Sequence, residues 1–531
     1  MIVTSKFHNL YCKHHQASLC PTMLQLTDLL SDRVQLVIAA TCLCITALIS
    51  HTYLSSTESS LSSPPSPLTW RLCGHLLSPR KGYLTIASWI EEYGPLITLR
   101  TGTEKYIVIG RYKAAVEIME KQGASLVDRP RLIAAGELLG GGMLIPFIPA
   151  GERFRRLRRA IHTHLQPKAA ETYQPLQNSY AKNTVLDILN DPHNFQDHAR
   201  TYAAATSMKI AYGKTTPTNA TDPEVKKVTE FADKFRASLH PGAYLVDSIP
   251  WLKYFPWYAR DLRDACRESQ KLFIEQLGRL KQELQGGDEV SPSVGRHLLE
   301  NNSFNGMPEL EMAWLAGTVF AAGSDTTTRA ICTVLMAAAC FPEEQRTVHE
   351  ELDAVIGTNR APAFTDKQSL PRLHAFVLEA LRWRPLVPMG IPHRTTQVVV
   401  FENYRIPAGA TVHGNHWAIS RDPDVFPDPD AFKPDRWLDT EGRVRDDIKF
   451  FVFGFGRRVC PGQHVANSSV FINAVFVLWA FRLTLNRTKP LDDTAFMDGT
   501  LSNEQSRTID FQSRIPEAEL RRMMGRDVGE T

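Results

Sequence analysis

Cys460 closes the run Phe453-Gly-Phe-Gly456-Arg-Arg458-Val-Cys460-Pro-Gly462, after an apolar stretch and before an expected helix that reaches Phe481. A lone cysteine is more often a small core residue or an idle thiol. Here Gly454, Gly456 and Gly462 would permit positive φ and close backbone approach. Backbone N–H groups at the helix start, with Arg457 and Arg458, would stabilise a thiolate. An iron-ligating sulfur needs that environment. No Cys-x-x-Cys pair and no His/Cys cluster accompanies it, which argues against zinc.

Two further groupings have chemistry-bearing spacing. Glu379-Ala-Leu-Arg382 puts opposite charges on one helix face. On a surface such a pair is worth only about 0–1 kcal/mol. Its neighbours Phe376, Val377, Leu378, Leu381 and Trp383 are apolar, so a buried pair is expected. Ala322-Gly323-Ser324-Asp325-Thr326-Thr327 interrupts a long apolar helical pattern. Ser-Asp-Thr alone reads as a helix cap, but apolar helix on both sides argues against a terminus. A hydroxyl inside a helix can bond the carbonyl one turn earlier.

The run FGFGRRVCPG resembles the haem-binding loop of cytochrome P450 enzymes, Phe-x-x-Gly-x-Arg-x-Cys-x-Gly. All five fixed positions match: Phe453, Gly456, Arg458, Cys460 and Gly462. The resemblance implies that Cys460 is the axial thiolate ligand of haem b iron, a ligation that favours O–O cleavage. Arg458 would pair with a haem propionate. The Glu-x-x-Arg pair, with Arg436 of Pro434-Asp-Arg436-Trp as third member, would lock the fold around the haem. The Asp325-Thr326 pattern fits the family's acid–alcohol pair for proton relay, in a helix that opens a groove for dioxygen. Within Gly151–Arg159, Arg158 and His393 of Pro392-His393 fit further propionate contacts, and Arg129 is a weaker candidate. At Phe154 the family usually carries Trp, so one N–H donor is missing. The remaining arginines of Arg153–Arg159 would form a basic patch for an acidic electron donor.

These side chains need elements to hold them. Leu96–Arg100 and Tyr106–Ile109 read as strands. Glu309 to Cys340 reads as one long, mostly buried helix, stopped at Phe341-Pro342. The resemblance implies a mainly α fold with a smaller β region, one large haem domain over 70–531. Before it, Val34–Leu54 carries no Asp, Glu, Lys or Arg and can span a bilayer once. It reads as an uncleaved anchor, with 1–33 an N-terminal extension and 55–69 a Ser/Pro-rich spacer that packs no core. Initiation at Met23 would leave only Arg33 ahead of the anchor and favour a cytosolic body.

Composition excludes other classes. The 531 residues are 43% hydrophobic and 22% charged, neither disordered nor collagen-like. Lys+Arg total 60 against Asp+Glu 57, too balanced for a nucleic-acid binder. Nine cysteines suit a reducing compartment.

The expected function is a haem-thiolate monooxygenase that inserts one atom of O2 into a hydrophobic substrate. Electrons would come from NADPH through a separate cytochrome P450 reductase, at the endoplasmic reticulum membrane. The phrase Asn415-His-Trp-Ala-Ile-Ser-Arg-Asp-Pro resembles fungal members of secondary metabolism. An electron-independent isomerase or dehydratase, and a non-catalytic haem-binding protein, stand as alternatives. Substrate contacts are expected from about 132–149, 238–255, 386–391 and 496–501, with Phe147, Trp251, Phe255, Val387 and Phe496 among the apolar side chains.

Overall fold

The computed structural model describes residues 36–44, 46, 61–69, 74–75, 77–78, 81–101, 104–214, 216–240, 242–287, 290–301, 306–486, 488, 493–494 and 508–525. The chain divides into two compact units, residues 1–62 and 63–531. In the first, residues 36–44 and 46 are helical and exposed. The rest of the expected anchor lies outside the described residues. Among the described residues, no helix is long and apolar enough to cross a membrane.

The second unit is mainly helical. Its principal helices are α1 (Gly82–Tyr93), α2 (Glu152–Leu165), α3 (Gln174–Asn190), α4 (Phe195–Tyr212), α5 (Pro223–Ser238), α6 (Arg260–Gly286), α7 (Val294–Glu300), α8 (Glu309–Cys340), α9 (Pro342–Val355), α10 (Pro371–Trp383) and α11 (Gln463–Ala480). The strands are β1 (Leu96–Thr101), β2 (Glu104–Ile109), β3 (His393–Arg394), β4 (Val399–Phe401), β5 (Tyr404–Ile406), β6 (Thr411–Gly414), β7 (Phe481–Leu485) and β8 (Ile509–Ser513). Four of them form a sheet in the order β1-β2-β6-β3. β1 and β2 are antiparallel, β2 and β6 run parallel with Ile107 opposite Val412, and β3 returns antiparallel to β6. A bridge from Arg394 to Asp128, and the contact of His393 Nδ1 with Leu126 O, bring β3 beside chain more than 260 residues earlier.

The long helix keeps the limits its sequence sets. Glu309 and Glu311 occupy the first turn of α8, where carboxylates suit the helix dipole. Phe341, at φ −121°, precedes a proline that opens α9. α8 packs on α4 along most of its length, and on α5, α6, α10 and α11. It threads two apolar clusters. Residues 312–321 belong to one, with α2, α5 and α6; residues 330–339 belong to the other, with α3, α10 and α11. The polar stretch 322–329 falls where the two meet.

The spacer is not free along its whole length. Pro64 and Pro67 are buried. Thr98 on β1 donates its N–H to Pro65 O at 2.7 Å and its hydroxyl to Pro64 O at 2.9 Å. Prolines lack an N–H, but their carbonyls serve a sheet edge well.

Candidate functional site

The Cys460 loop is shaped by two left-handed glycines. Gly454 has φ +82° and Gly456 φ +56°. A Cβ at Gly456 would stand 2.5 Å from Met119 O, so only glycine fits there. Glu120, from the same turn as Met119, accepts the Gly456 N–H at 2.6 Å and pairs with Lys449 at 3.0 Å. Cys460 N–H then donates to Phe453 O at 2.9 Å, closing the loop. Gly462 differs from expectation. Its φ is −87°, so no left-handed backbone demands glycine there.

The charge around the thiol also differs from the sequence reading. Burial pushes the Cys460 thiol up, while the Gly462 N–H and the Arg158 guanidinium pull it down. Neither Arg457 nor Arg458 provides that charge. Arg457 is exposed. Arg458 turns back, donating from Nε to Val127 O and from Nη2 to Ile148 O, each at 2.7 Å. Arg158 reaches the loop from α2 and donates from Nη2 to Val459 O at 2.6 Å.

Near the Cys460 loop gather three arginines and a neutral histidine from four parts of the chain: Arg129, Arg158, Arg458 and His393. Burial and the nearby Arg458 push the Arg129 guanidinium down to about 9. Burial, opposed by Asp128, pushes Arg458 down to about 10. His393 is held well below its ordinary value by burial and Arg129; its Nδ1 lies 2.8 Å from Leu126 O. Arg129 Nε and Arg458 Nη1 are buried without a hydrogen-bond partner. Two neighbouring guanidiniums with unused donors are costly unless an anion meets them.

On α8, Thr326 and Ala322 are exposed, one turn apart, in a helix that is otherwise mostly buried. Thr326 Oγ1 donates to Ala322 O at 2.8 Å, and Ser324 and Thr328 bond back in the same way. The expected Asp325–Thr326 pair is not joined. Successive side chains on a helix diverge by about 100°. The Asp325 carboxylate meets Arg236 at the end of α5 and stands 3.6 Å from Arg329, on its own helix. Gly323 has a packing role too: a Cβ there would lie 2.4 Å from Ser207 Oγ on α4. Its small size lets α4 and α8 approach.

The Glu379 cluster matches its structural expectation. Glu379 and Arg382 are fully buried, with bonds of 2.7 and 2.8 Å. Glu379 also accepts from Arg436 Nε at 3.1 Å, Lys433 N–H at 2.8 Å and Trp437 Nε1 at 3.0 Å.

The sequence model of the cytochrome P450 family matches residues 64–511, most of the chain. The chain belongs to the cytochrome P450 family. It is 46% identical over 458 residues to cytochrome P450 monooxygenase 113 of Postia placenta, covering 86% of this chain and 92% of that one. With monooxygenase 88 of the same fungus it shares 48%, over 87% and 93% of the two chains. A cytochrome P450 monooxygenase of Armillaria gallica is 33% identical, over 92% and 96%. The protein is a P450 monooxygenase, and the family's cofactor is haem with a thiolate ligand to iron.

The residues of this P450 fit that group. Haem brings an iron for one thiolate and two carboxylates for cations. Cys460 would supply the sulfur. Arg129, Arg158, His393 and Arg458 would take the carboxylates, and the orphaned Arg129 Nε and Arg458 Nη1 are the observations that call for them. Arg129 is as buried in this cluster as the residues the motifs single out.

Two expectations change. The basic patch shrinks, because Arg153 and Arg156 are both spent on Glu311 of α8, each at 2.6 Å. Arg155 pairs with Glu152. Trp251 and Phe255, expected near the substrate, stand at the surface, 58% and 38% exposed. Phe496 lies outside the described residues. The sequence reading also missed Arg236 and Arg329. Arg329 was within reach, four residues after Asp325 on a helix; Arg236 carried no local signal.

Proposed function

We propose that this P450 oxidises a hydrophobic small molecule in fungal secondary metabolism, at the endoplasmic reticulum membrane. Electrons come from NADPH through a separate flavoprotein reductase. The observation that carries the reading is the exposed face of α8 at Ala322 and Thr326, set among apolar elements. Val319, Leu132, Met143 and Ile391 pack half-buried against the same cluster that contains Ile133–Leu139 and Phe147. Such walls suit an apolar ligand.

When bound, haem iron supplies the oxygen chemistry, in which one atom of O2 enters the substrate and the other leaves as water. The chain controls access and protons. Thr326 Oγ1 can release Ala322 O and donate outward. Once its carboxylate turns from Arg236, Asp325 can take a proton from solvent on the α5 side and pass it through water to Thr326. The Arg236–Asp325 contact thus ties proton supply to the position of α5.

Arg159 and Arg457 support a reductase face. Arg457 is exposed in the Cys460 loop and Arg159 is exposed next to Arg158 on α2; among the described residues, neither is in an ion pair. Membrane association is supported by the uncharged stretch Val34–Leu54 and by a surface patch. Leu245, Trp251, Tyr254 and Trp257 are 58%, 58%, 77% and 68% exposed, and aromatic side chains of this kind favour a membrane interface. The resemblance of Asn415–Pro423 to fungal secondary-metabolism members, and the fungal relatives, support the pathway class.

Full-length protein with NADPH, the reductase and isotopically labelled O2 tests the reading. One labelled atom should enter a hydrophobic product. Turnover without NADPH would instead establish the isomerase or dehydratase reading.

A further inference from the structure

Position 154 departs from the family pattern. The usual Trp carries an N–H; Phe154 has none to donate. Yet Phe154, on α2, is 7% exposed and packs inside the apolar cluster. It sits one turn before Arg158, on the same helix face.

What meets its ring is Arg458. The guanidinium carbon lies 3.5 Å from the Phe154 ring centroid, close for a cation–π contact. Two other restraints act on the same group. Nε is tied to Val127 O and Nη2 to Ile148 O, each at 2.7 Å. Those bonds fix the guanidinium within its plane, and the ring fixes the plane itself. One donor, Nη1, is left buried and unused.

We infer that Phe154 is a positioning residue for haem: its ring holds the Arg458 guanidinium so that the free Nη1 takes a haem carboxylate. A side chain that can donate nothing thereby replaces a donor, through the arginine it supports. A flat aromatic face is required; an aliphatic side chain of equal volume would fill the space but not attract the cation. The inference rests on the haem reading above and assigns a residue within it.

The test compares full-length holoprotein with Phe154→Met, which keeps most of the volume and loses the ring, and Phe154→Tyr, which keeps the ring. Haem transfer to excess apomyoglobin is the first readout. Phe154→Met should release haem roughly three- to thirtyfold faster, and Phe154→Tyr should stay within about twofold of the parent. The iron midpoint potential is the second. It should fall in Phe154→Met, because a loosened cation neutralises the carboxylates less, and hold in Phe154→Tyr. In an Arg458→Gln background, Phe154→Met should change neither readout further. Equal release from Phe154→Met and the parent would overturn the inference. So would an effect of Phe154→Met that is undiminished without Arg458, which marks a purely structural role. Parent protein lacking a thiolate–iron spectrum would instead overturn the haem reading itself.

Discussion

Thr326 and Asp325 are neighbours in sequence with different tasks in space. The hydroxyl faces the open side of α8, bonded only to Ala322 O; the carboxylate faces Arg236 and Arg329. The roles proposed for them separate under mutation. Thr326→Ala should leave haem content unchanged and lower product formation about a hundredfold, while electrons from NADPH continue to be consumed. Product per NADPH oxidised checks this; an unchanged ratio would remove Thr326 from the relay. Because no hydrogen bond joins the two side chains, Asp325→Asn should leave the Thr326–Ala322 bond intact. Its effect should therefore appear as a slower, pH-dependent turnover with haem and substrate binding retained. The motif made both residues legible from sequence. Their divergence was not, since Arg236 lies 89 residues away.

At the scale of elements, two contacts fix where the site residues stand. Gly323 brings α4 against α8, with room for no Cβ before Ser207. Gly323→Ala should cost about 1–3 kcal/mol, and Ser207→Ala should recover part of it; thermal melting of the four proteins reads both. Glu379 takes five hydrogen bonds from α10 and the segment 433–437. Removing it leaves Arg382 buried without its carboxylate. Glu379→Ala should cost about 3–5 kcal/mol and lower the yield of haem-loaded protein. Both elements were readable as elements: the limits of α8 are those of the apolar run, and Glu379-x-x-Arg382 falls on one helix face. Their tertiary partners were not. The basic run Arg153–Arg159 shows the reason. Alternating arginines look like a solvated face, until Glu311, more than 150 residues later, takes two of them inward.

Across the whole molecule, buried histidines set the acid limit. His164, His349, His374, His413 and His416 are each pushed down to about 4, chiefly by burial. An unfolded chain binds protons at these sites near pH 6.5. Between about 6.5 and 4 the unfolded state therefore holds more protons than the folded one. Stability is present above 6.5 and falls as the pH drops, by up to about 1.4 kcal/mol per pH unit for each such group. Melting temperature measured from pH 7 to pH 5 should fall steeply; a flat profile would contradict the buried, neutral assignment. None of this burial was visible in sequence, where no motif marks these five histidines. What was visible is the Cys460 loop, because ten contiguous residues hold its glycines, arginine and thiol.

That loop carries the central claim. The ferrous–CO difference spectrum of the full chain, beside Cys460→Ala, tests it most directly. A strongly red-shifted band in the parent, absent from the variant, would place the Cys460 sulfur on iron. A band typical of histidine-ligated haem, or one that survives Cys460→Ala, would contradict it.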